Sequence, residues 1–366
     1  MNHGWKYITS DECFSSITPK CKIEKKNYSI GRLIPIISQE EDFISGYWDN
    51  HEDITSHAKP IVVFGDHSRV LKYIDFDFVV GADGVKILLP FEPIDAKFLY
   101  YFLKWKNIPS LGYSRHFRLL KELKYPCPHS KVQTTVISEL DKINELIEVK
   151  RSQLADLDML AQSLFYEMFG DPITNPTGWK ISKVSEIFET GSGGTPSKSV
   201  DEFWSSEDIP WIGSNMCQNK ILYETDGKFI SKLGLENSSA KLLEPDTILI
   251  ALVGATIGKV ALLKIPTSTN QNIGFIKPDK NIINPIFLFY TIQGLYSLFL
   301  EVGNGKFKMA NLSFIRDLPI IIPPISLQNE FAIKIEAIEE QKKLVDSSIT
   351  DFQTLLASRM DYWFND

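Results

Sequence analysis

The sequence predicts a tandem α/β (α+β) repeat: two mixed α/β domains joined by two long antiparallel helices of coiled-coil type, related by pseudo-twofold symmetry. Three observations lead there. At 366 residues the chain exceeds what one ordinary core fills and suggests two or three domains. The same order of motifs runs through it twice. Two segments without internal proline or glycine carry heptads in matching register.

The repeat fixes the boundaries. Gly4-Trp5-Lys6 returns as Gly178-Trp179-Lys180 and Phe14 as Phe188, at an offset of 174. Ile34-Pro35 returns as Ile209-Pro210, and Phe98-Leu99-Tyr100-Tyr101 matches Phe287-Leu288-Phe289-Tyr290 at 189. Leu123, Pro128 and Gln133 match Leu318, Pro323 and Gln328 at 195, as Ser163, Phe169 and Asp171 match Ser358, Phe364 and Asp366. The offset grows because loops differ in length while the order of elements is kept. Mixed domains are expected over 1–127 and 172–322, and helical spacers over 128–171 and 323–366. Within the mixed domains, apolar runs such as 60–64 and 247–253 read as strands punctuated by Gly, Asn, Asp and Pro. One amphipathic helix follows near 95–105 and again near 284–300. Tyr125-Pro126-Cys127-Pro128 and Ile322-Pro323-Pro324 then stop the chain before each spacer.

In the first spacer Val136, Ile143, Lys150, Leu157 and Leu164 share one heptad position, with Leu140, Ile147, Leu154, Ala161 and Met168 on the other. Adding 195 gives Phe331, Ile338, Val345, Phe352 and Arg359, with Ile335, Lys342, Ile349, Leu356 and Trp363. Two apolar seams in one register favour pairing with each other over two helices lying separately on their own domains. Leu140, Ile143, Ile147, Leu154 and Leu157 are expected to pair with Ile335, Ile338, Val345, Ile349 and Phe352. Lys150 and Lys342 interrupt the seams at a cost that their long stems reduce. A helix of roughly 35 residues spans about 50 Å, more than the roughly 34–36 Å of a B-DNA turn.

The composition is globular: 43% hydrophobic and 23% charged, which excludes a disordered or fibrous chain. No apolar run is long enough for a membrane helix, and the start lacks a signal-peptide layout, so a soluble cytoplasmic protein without membrane contact is expected. Cys13, Cys21, Cys127 and Cys217 show neither metal-ligand nor disulfide-framework spacing and read as buried thiols. The net charge of -7 is unevenly spread. Residues 136–171 carry -5 and 328–366 carry -4, leaving the remainder near neutral at +2. Nucleic acid is therefore not excluded as a partner.

Catalytic signatures are missing. Asn284-Pro285-Ile286-Phe287 lacks the second proline of an amino-methyltransferase motif, and its repeat counterpart Asp95-Ala96-Lys97-Phe98 argues for a helix cap. The stretch from Gly191 to Lys198 fails the P-loop spacing, so it is a backbone-donor loop at a phosphate or a plain surface turn. His51, Asp53 and His57 supply no complete ligand set, and Asp66-His67 no nucleophile. Neither a catalytic centre nor a metal is assigned.

Other motifs carry a resemblance. Gly193-Gly194-Thr195-Pro196-Ser197, Ile209-Pro210-Trp211-Ile212, Gly254-Ala255-Thr256-Ile257-Gly258-Lys259-Val260-Ala261 and Asn270-Gln271-Asn272-Ile273-Gly274 stand in the second half. The run from Leu318 to Pro324 follows, with Gln328 opening a helix. In this order, duplicated along essentially the whole chain, they resemble the specificity (S) subunit of type I restriction–modification systems. Gly81-Ala82-Asp83-Gly84-Val85 and Gly112-Tyr113-Ser114-Arg115-His116-Phe117 resemble a different subtype of target-recognition domain. The resemblance implies that each domain reads one half of a bipartite double-stranded DNA target, with unlike half-sites. It also implies that the helices set the spacing and dock two methyltransferase (M) subunits, that restriction (R) subunits join afterwards, and that S-adenosylmethionine binds the M subunits. On the same resemblance, this chain itself is expected to hold no cofactor and to do no chemistry. The first half lacks the Gly-Ala-Thr-Ile-Gly-Lys and Asn-Gln-Asn patterns, so contacts do not carry over between halves.

Basic and amide side chains on glycine-rich loops are the DNA candidates, since Arg and Lys hold phosphate or guanine while Asn and Gln read adenine. They are Lys20, Lys22, Lys25, Lys26, Arg115, His116 and Arg118 in the first domain. In the second they are Thr195, Lys198, Lys259, Asn270, Gln271, Lys306 and Lys308. Two rival readings are a coiled-coil interaction scaffold, favoured by the acidic helices, and a stand-alone DNA-modifying enzyme, disfavoured by the missing motifs.

Overall fold

The structure, a computed structural model, describes residues 4–29, 31, 33–55, 60–81, 84–112, 114–303 and 309–365. It divides into two compact units, one of Met1–Ser152 with Asp346–Asp366 and one of Gln153–Val345. The division cuts both long helices, Ser130–Phe169 and Ile325–Phe364. Each unit therefore holds the start of one helix and the end of the other.

The first unit contains β1 (Lys6–Ile8), β2 (Phe14–Ile17), β3 (Ile34–Ile37), β4 (Gly46–Trp48), β5 (Ile61–Gly65), β6 (Leu71–Ile74), β7 (Val79–Val80), β8 (Val85–Pro90) and β9 (Tyr125–Cys127). They form sheets in the orders β2-β8-β5-β6 and β4-β3-β7, with β1 paired to β9. All five residues of β5 are buried, so this strand is an uninterrupted apolar run covered on both faces. The second unit contains β10 (Lys180–Lys183), β11 (Glu189–Ser192), β12 (Ile209–Ile212), β13 (Lys220–Leu222), β14 (Phe229–Ile230), β15 (Leu242–Leu243), β16 (Ile248–Ala251), β17 (Val260–Leu263), β18 (Thr267–Thr269), β19 (Ile273–Lys277) and β20 (Pro319–Ile322). Its orders are β11-β19-β16-β17-β13 and β14-β12-β18-β15, with β10 paired to β20. The layout is the same with two strands added, β13 and β15. Even the parallel pairing recurs, β3 with β7 and β12 with β18.

A helix follows each sheet. Ala96–Lys106 is capped by Asp95, whose Oδ1 accepts from the Lys97 N–H at 2.7 Å. Pro285–Gly294 is capped by Asn284, whose Oδ1 accepts from the Ile286 N–H at 2.9 Å. Asn284-Pro285 is thus a cap with proline in the first turn. Two features differ from the expected amphipathic helix over 284–300. Residues 285–292 are buried without exception, so the helix is apolar on every face. It also ends at Gly294, and a second helix, Tyr296–Gly303, begins after Leu295. Pro172 packs where a Gly294 side chain would stand, its Cγ 2.5 Å from a Cβ placed there.

A buried glutamine joins this helix to the long one in each unit. Gln133 Oε1 accepts from the Asp95 N–H at 2.8 Å, while Nε2 donates to the Pro93 and Pro128 carbonyls at 2.9 and 3.0 Å. Gln328 Oε1 accepts from the Asn284 N–H at 2.8 Å, and Nε2 donates to the Pro323 and Ile282 carbonyls at 2.9 and 3.4 Å. Both side chains are fully enclosed.

Each long helix has 40 residues. In the first unit Leu140, Ile143, Ile147 and Ile349 are buried and Phe352 is half-buried; in the second Ile335, Ile338 and Val345 are buried, with Leu154 and Leu157 half-buried. The helices run antiparallel: within the second unit Phe165 meets Phe331 at 5.8 Å between ring centres, while the earlier Asp158 pairs with the later Lys342 at 2.6 Å. Lys342, at a seam position, also binds Glu339 at 2.6 Å. Burial pulls its ammonium down, but the two carboxylates outweigh burial and hold it above the usual lysine value. Helix ends are locked by equivalent rings: Phe169 packs on Phe287 at 4.6 Å in one unit and Phe364 on Phe98 at 5.5 Å in the other. In the first unit Arg359 binds both Glu139 oxygens, and Trp363 Nε1 donates to Glu139 at 2.9 Å.

All four cysteines are free; Cys13 and Cys217 are buried, whereas Cys21 and Cys127 are only half-buried, short of the expected enclosure. Burial pushes the Cys13 and Cys217 thiols up to about 12, away from thiolate chemistry. No helix among the described residues is long and apolar enough to cross a membrane.

Two stability outcomes follow. Gln328→Leu strands an N–H and two carbonyls, and should cost about 1–3 kcal/mol in urea unfolding, with Gln133→Leu behaving alike; unchanged midpoints would remove the glutamines from any structural role. The Arg359 hydrogen bonds, opposed by burial and helped by Trp363, hold the Glu139 carboxyl below the usual carboxylate range. Its contribution is therefore complete above about pH 4.3 and lost as pH falls through the depressed folded value. The stability gap between the wild type and Arg359→Met should be smaller at pH 3 than at pH 6, and an equal gap would contradict the linkage.

Candidate nucleic-acid interface

In the second unit, glycines let three loops close on one another. The Gly193 and Gly194 N–H groups donate to the carbonyls of Ile273 at 3.1 Å and Thr269 at 2.8 Å. A Cβ on Gly193 would overlap Thr269 and the Asn270 carbonyl, and one on Gly194 would overlap the Ser239 backbone. Trp211 Nε1 closes the arrangement by donating to the Gly194 carbonyl at 3.1 Å. Only glycine permits so close a backbone approach, and its consequence is placement: Thr195 Oγ1 donates to Gln271 Oε1 at 2.5 Å.

From Gln271 the surface continues through amides. The Asn270 N–H donates to the Ile212 carbonyl at 3.1 Å, its Oδ1 accepts from the Asn272 N–H at 3.0 Å, and its Nδ2 lies beside Gly213. The following turn carries Asn215 and Gln218, both exposed, and Gln218 Nε2 donates to the Asn215 carbonyl at 3.1 Å. Lys259 Nζ then donates to Gln218 Oε1 at 2.8 Å. Thr195, Asn270 and Gln271 thus lie on adjoining loops, the Asn270 and Asn215 side chains both stand beside Gly213, and Lys259 is tied to Gln218 on the turn after Ile212. Asn215 and Gln218 were not among the candidates. Their signal was the amide density of Asn215, Gln218 and Asn219 after Trp211-Ile212, which has no fixed spacing to recognise. Lys198 is exposed on the turn beyond Ser197, without a hydrogen bond to these side chains. Lys306 and Lys308 lie outside the described residues.

The first unit holds its loops differently. Arg115 and Arg118 are exposed, but His116 is fully buried. His116 Nε2 accepts from the Leu111 N–H at 2.8 Å, which leaves Nδ1 to donate to the Asp66 carbonyl at 2.9 Å. The same Asp66 carbonyl accepts the His116 N–H at 2.8 Å, and the Asp66 carboxylate caps helix Phe117–Glu122 by accepting from the Phe117 N–H at 2.8 Å. His116 is therefore corrected from a DNA contact to a positioning residue: with both ring nitrogens committed and no surface, it anchors the loop that displays Arg115. Arg69 adds a bond to the Ile108 carbonyl at 3.0 Å. Lys20 and Lys22 are exposed, while Lys25 pairs with Glu40 at 3.2 Å and Lys26 with Glu24 at 2.7 Å. Those surface pairs are weak enough to yield to a phosphate. Asp53, considered with His51 for a metal, instead accepts from Trp48 Nε1 at 2.8 Å; His57 lies outside the described residues. Among the described residues no group of three His, Cys, Asp or Glu side chains is placed to hold a metal.

The two α/β units, with their exposed amide and basic loops, have relatives among known proteins. Residues 176–349 match the family described as the type I restriction modification DNA specificity domain. The chain is 28% identical over 360 residues to the type I restriction enzyme EcoR124I/EcoR124II specificity subunit of Escherichia coli, covering 93% of this chain and 84% of that one. It is 22% identical over 373 residues to the putative MjaX specificity subunit of Methanocaldococcus jannaschii, covering 89% and 84%. In fold it is similar to the type I S subunit from M. genitalium, with a TM-score of 0.56, 17% identity and coverage of 99% and 96%. Residues 176–349 thus match that domain family, and over most of its length the chain is similar to specificity subunits of type I restriction–modification systems.

His116→Ala should destabilise the first unit by about 1–3 kcal/mol and make residues 108–116 more sensitive to limited proteolysis. A native-like melt and cleavage pattern would return His116 to the list of direct contacts.

Proposed function

We propose that this chain reads an asymmetric, bipartite double-stranded DNA target, one half per domain, and that its helices set the spacing and dock two M subunits, with R subunits joining afterwards. The observation that carries this reading is the placement of Thr195, Gln271 and Asn270 on loops brought together at Gly193 and Gly194, with Gln218 and Lys259 paired on the turn after Ile212. Asn and Gln can offer an adenine edge a donor and an acceptor together, and lysine holds phosphate. The different loop anchoring of the first unit supports a different half-site. Helices of 40 residues, about 60 Å long at about 1.5 Å per residue, support the ruler role, since a B-DNA turn is about 34–36 Å. S-adenosylmethionine on the M subunits would supply the methyl group for adenine N6, and the residues of this chain only select and hold the site. With its domains near neutral, the chain alone binds DNA weakly and with strong salt dependence.

The test co-expresses the chain with the M subunit of its own operon in a methylation-free host and maps adenine methylation across the genome. One split motif that disappears when either chain is omitted is expected. Gln271→Ala should relax one half of that motif and Arg115→Ala the other, each by the roughly 1–3 kcal/mol of a good base contact; equal loss at both halves contradicts the division of labour. Methylation by this chain alone would make it an enzyme, and absence of both complex and methylation would favour the interaction scaffold.

A further inference from the structure

Sheet edge β6 of the first unit has an internal control, because the second unit solves the same local problem differently. There β13 adds in parallel to β17, pairing Ile221 with Leu262, and Tyr223 continues past it toward the long helix. Lys343 Nζ stands 3.7 Å from the centre of the Tyr223 ring. The cleft left between this strand and the helix is about 330 Å³, walled by Glu336, Glu339, Glu340 and Lys343. In the first unit β6 occupies the place of β17 and ends the sheet, with no counterpart of β13 among the described residues. The corresponding cleft is about 730 Å³. Its helix wall, Asp141, Asn144, Glu145 and Glu148, falls at an offset of 195 from the four residues just named. Leu71, Tyr73 and Tyr100 form the apolar floor.

The two clefts differ in charge at one telling position. Lys343, which faces the aromatic ring, is replaced by Glu148. Of the cations near this wall, Lys97 is committed to Asp141 at 2.7 Å and lies 5.2 Å from the Tyr73 ring centre, Arg151 pairs with Glu148 at 2.7 Å, and Lys72 donates to the Ser38 and Asp42 carbonyls at 2.9 and 2.5 Å. Among the described residues the Glu145 carboxylate has no ion-pair or hydrogen-bond partner, and it lines the same cleft. An unpaired strand edge offers a row of backbone donors and acceptors to an added strand. Here the occupant must also bring positive charge where β13 brings tyrosine.

We infer that an extended, basic segment of the docking M subunit adds in parallel to β6, placing an apolar residue against Tyr73 and a lysine or arginine two residues later against Glu145 and Glu148. This rests on the proposed function, which supplies the docking subunit. The test compares amide exchange over 71–74 in the full chain alone and in the purified complex with the M subunit, using 260–263, already covered by β13, as reference. Exchange at 71–74 should slow at least tenfold on complex formation and stay unchanged at 260–263. The double variant Glu145→Lys/Glu148→Lys, on exposed helix positions, should weaken the complex at least tenfold and shift its salt dependence. A complex that forms and methylates DNA without protecting 71–74 overturns the inference and leaves the functional reading standing. Protection in the chain alone that rises with its concentration means a second copy fills the edge, which also overturns it. Absence of complex and of methylation defeats the functional reading, and the inference with it.

Discussion

Each unit hangs on one buried side chain, the glutamine in the first turn of its long helix. The chain arrives there through prolines, which have no N–H to offer and leave carbonyls facing the interior. Gln133 answers the Pro93 and Pro128 carbonyls, Gln328 those of Pro323 and Ile282, and each also takes the N–H of a helix cap. A glutamate would bring no donors and a leucine nothing at all, so the residue type is dictated by the inventory of stranded groups. Through this bond the helix that follows the sheet is fixed against the long helix. Phe98 or Phe287 is thereby presented to the ring that ends the other long helix, Phe364 or Phe169.

Beyond that shared anchor the units use different means to hold a loop still. The second relies on subtraction: Gly193 and Gly194 remove side chains so that backbones touch, and the order of the loops comes from contact. The first relies on a polar hub in which Asp66 accepts from His116 and Phe117, and His116 accepts from Leu111. In the hub of the first the buried polar groups find partners, whereas in the second the buried Thr269 hydroxyl packed against Gly193 has none among the described residues; both leave the displayed side chains free to differ. The anchor and the reading loops are therefore separable in sequence as well as in space.

That separation explains what was legible in the sequence. The duplication, the caps at Asp95 and Asn284, the strand runs and the heptad seams depend on residues close in sequence, and the structure has them. The break after Gly294, where Pro172 fills the space beside the glycine, had no sequence signal, and β13 had none because Lys220-Ile221-Leu222 is too short to mark a strand without β17 beside it. His116 misled for the same reason: between Arg115 and Arg118 it has the look of a basic surface, but its burial is decided by Asp66, fifty positions away. Asn270, Gln271 and Lys259 were singled out through glycine-marked loops, whereas Asn215 and Gln218, the latter bonded to Lys259, lie on a turn that composition alone does not distinguish.

The uneven charge then acquires a physical sense. Acid gathered on the two long helices would repel a duplex that lay along them, and at physiological ionic strength that repulsion reaches roughly 8 Å. A scaffold whose spacers refuse phosphate leaves the loops as the sites where DNA can be held, which lowers non-specific affinity more than specific affinity. The same acid favours basic partner segments, and the replacement of Lys343 by Glu148 concentrates it beside the open edge of β6. Under the proposed function, charge that looks unfavourable for a DNA-binding chain as a whole would, placed on the spacers, direct DNA to one surface and protein to another.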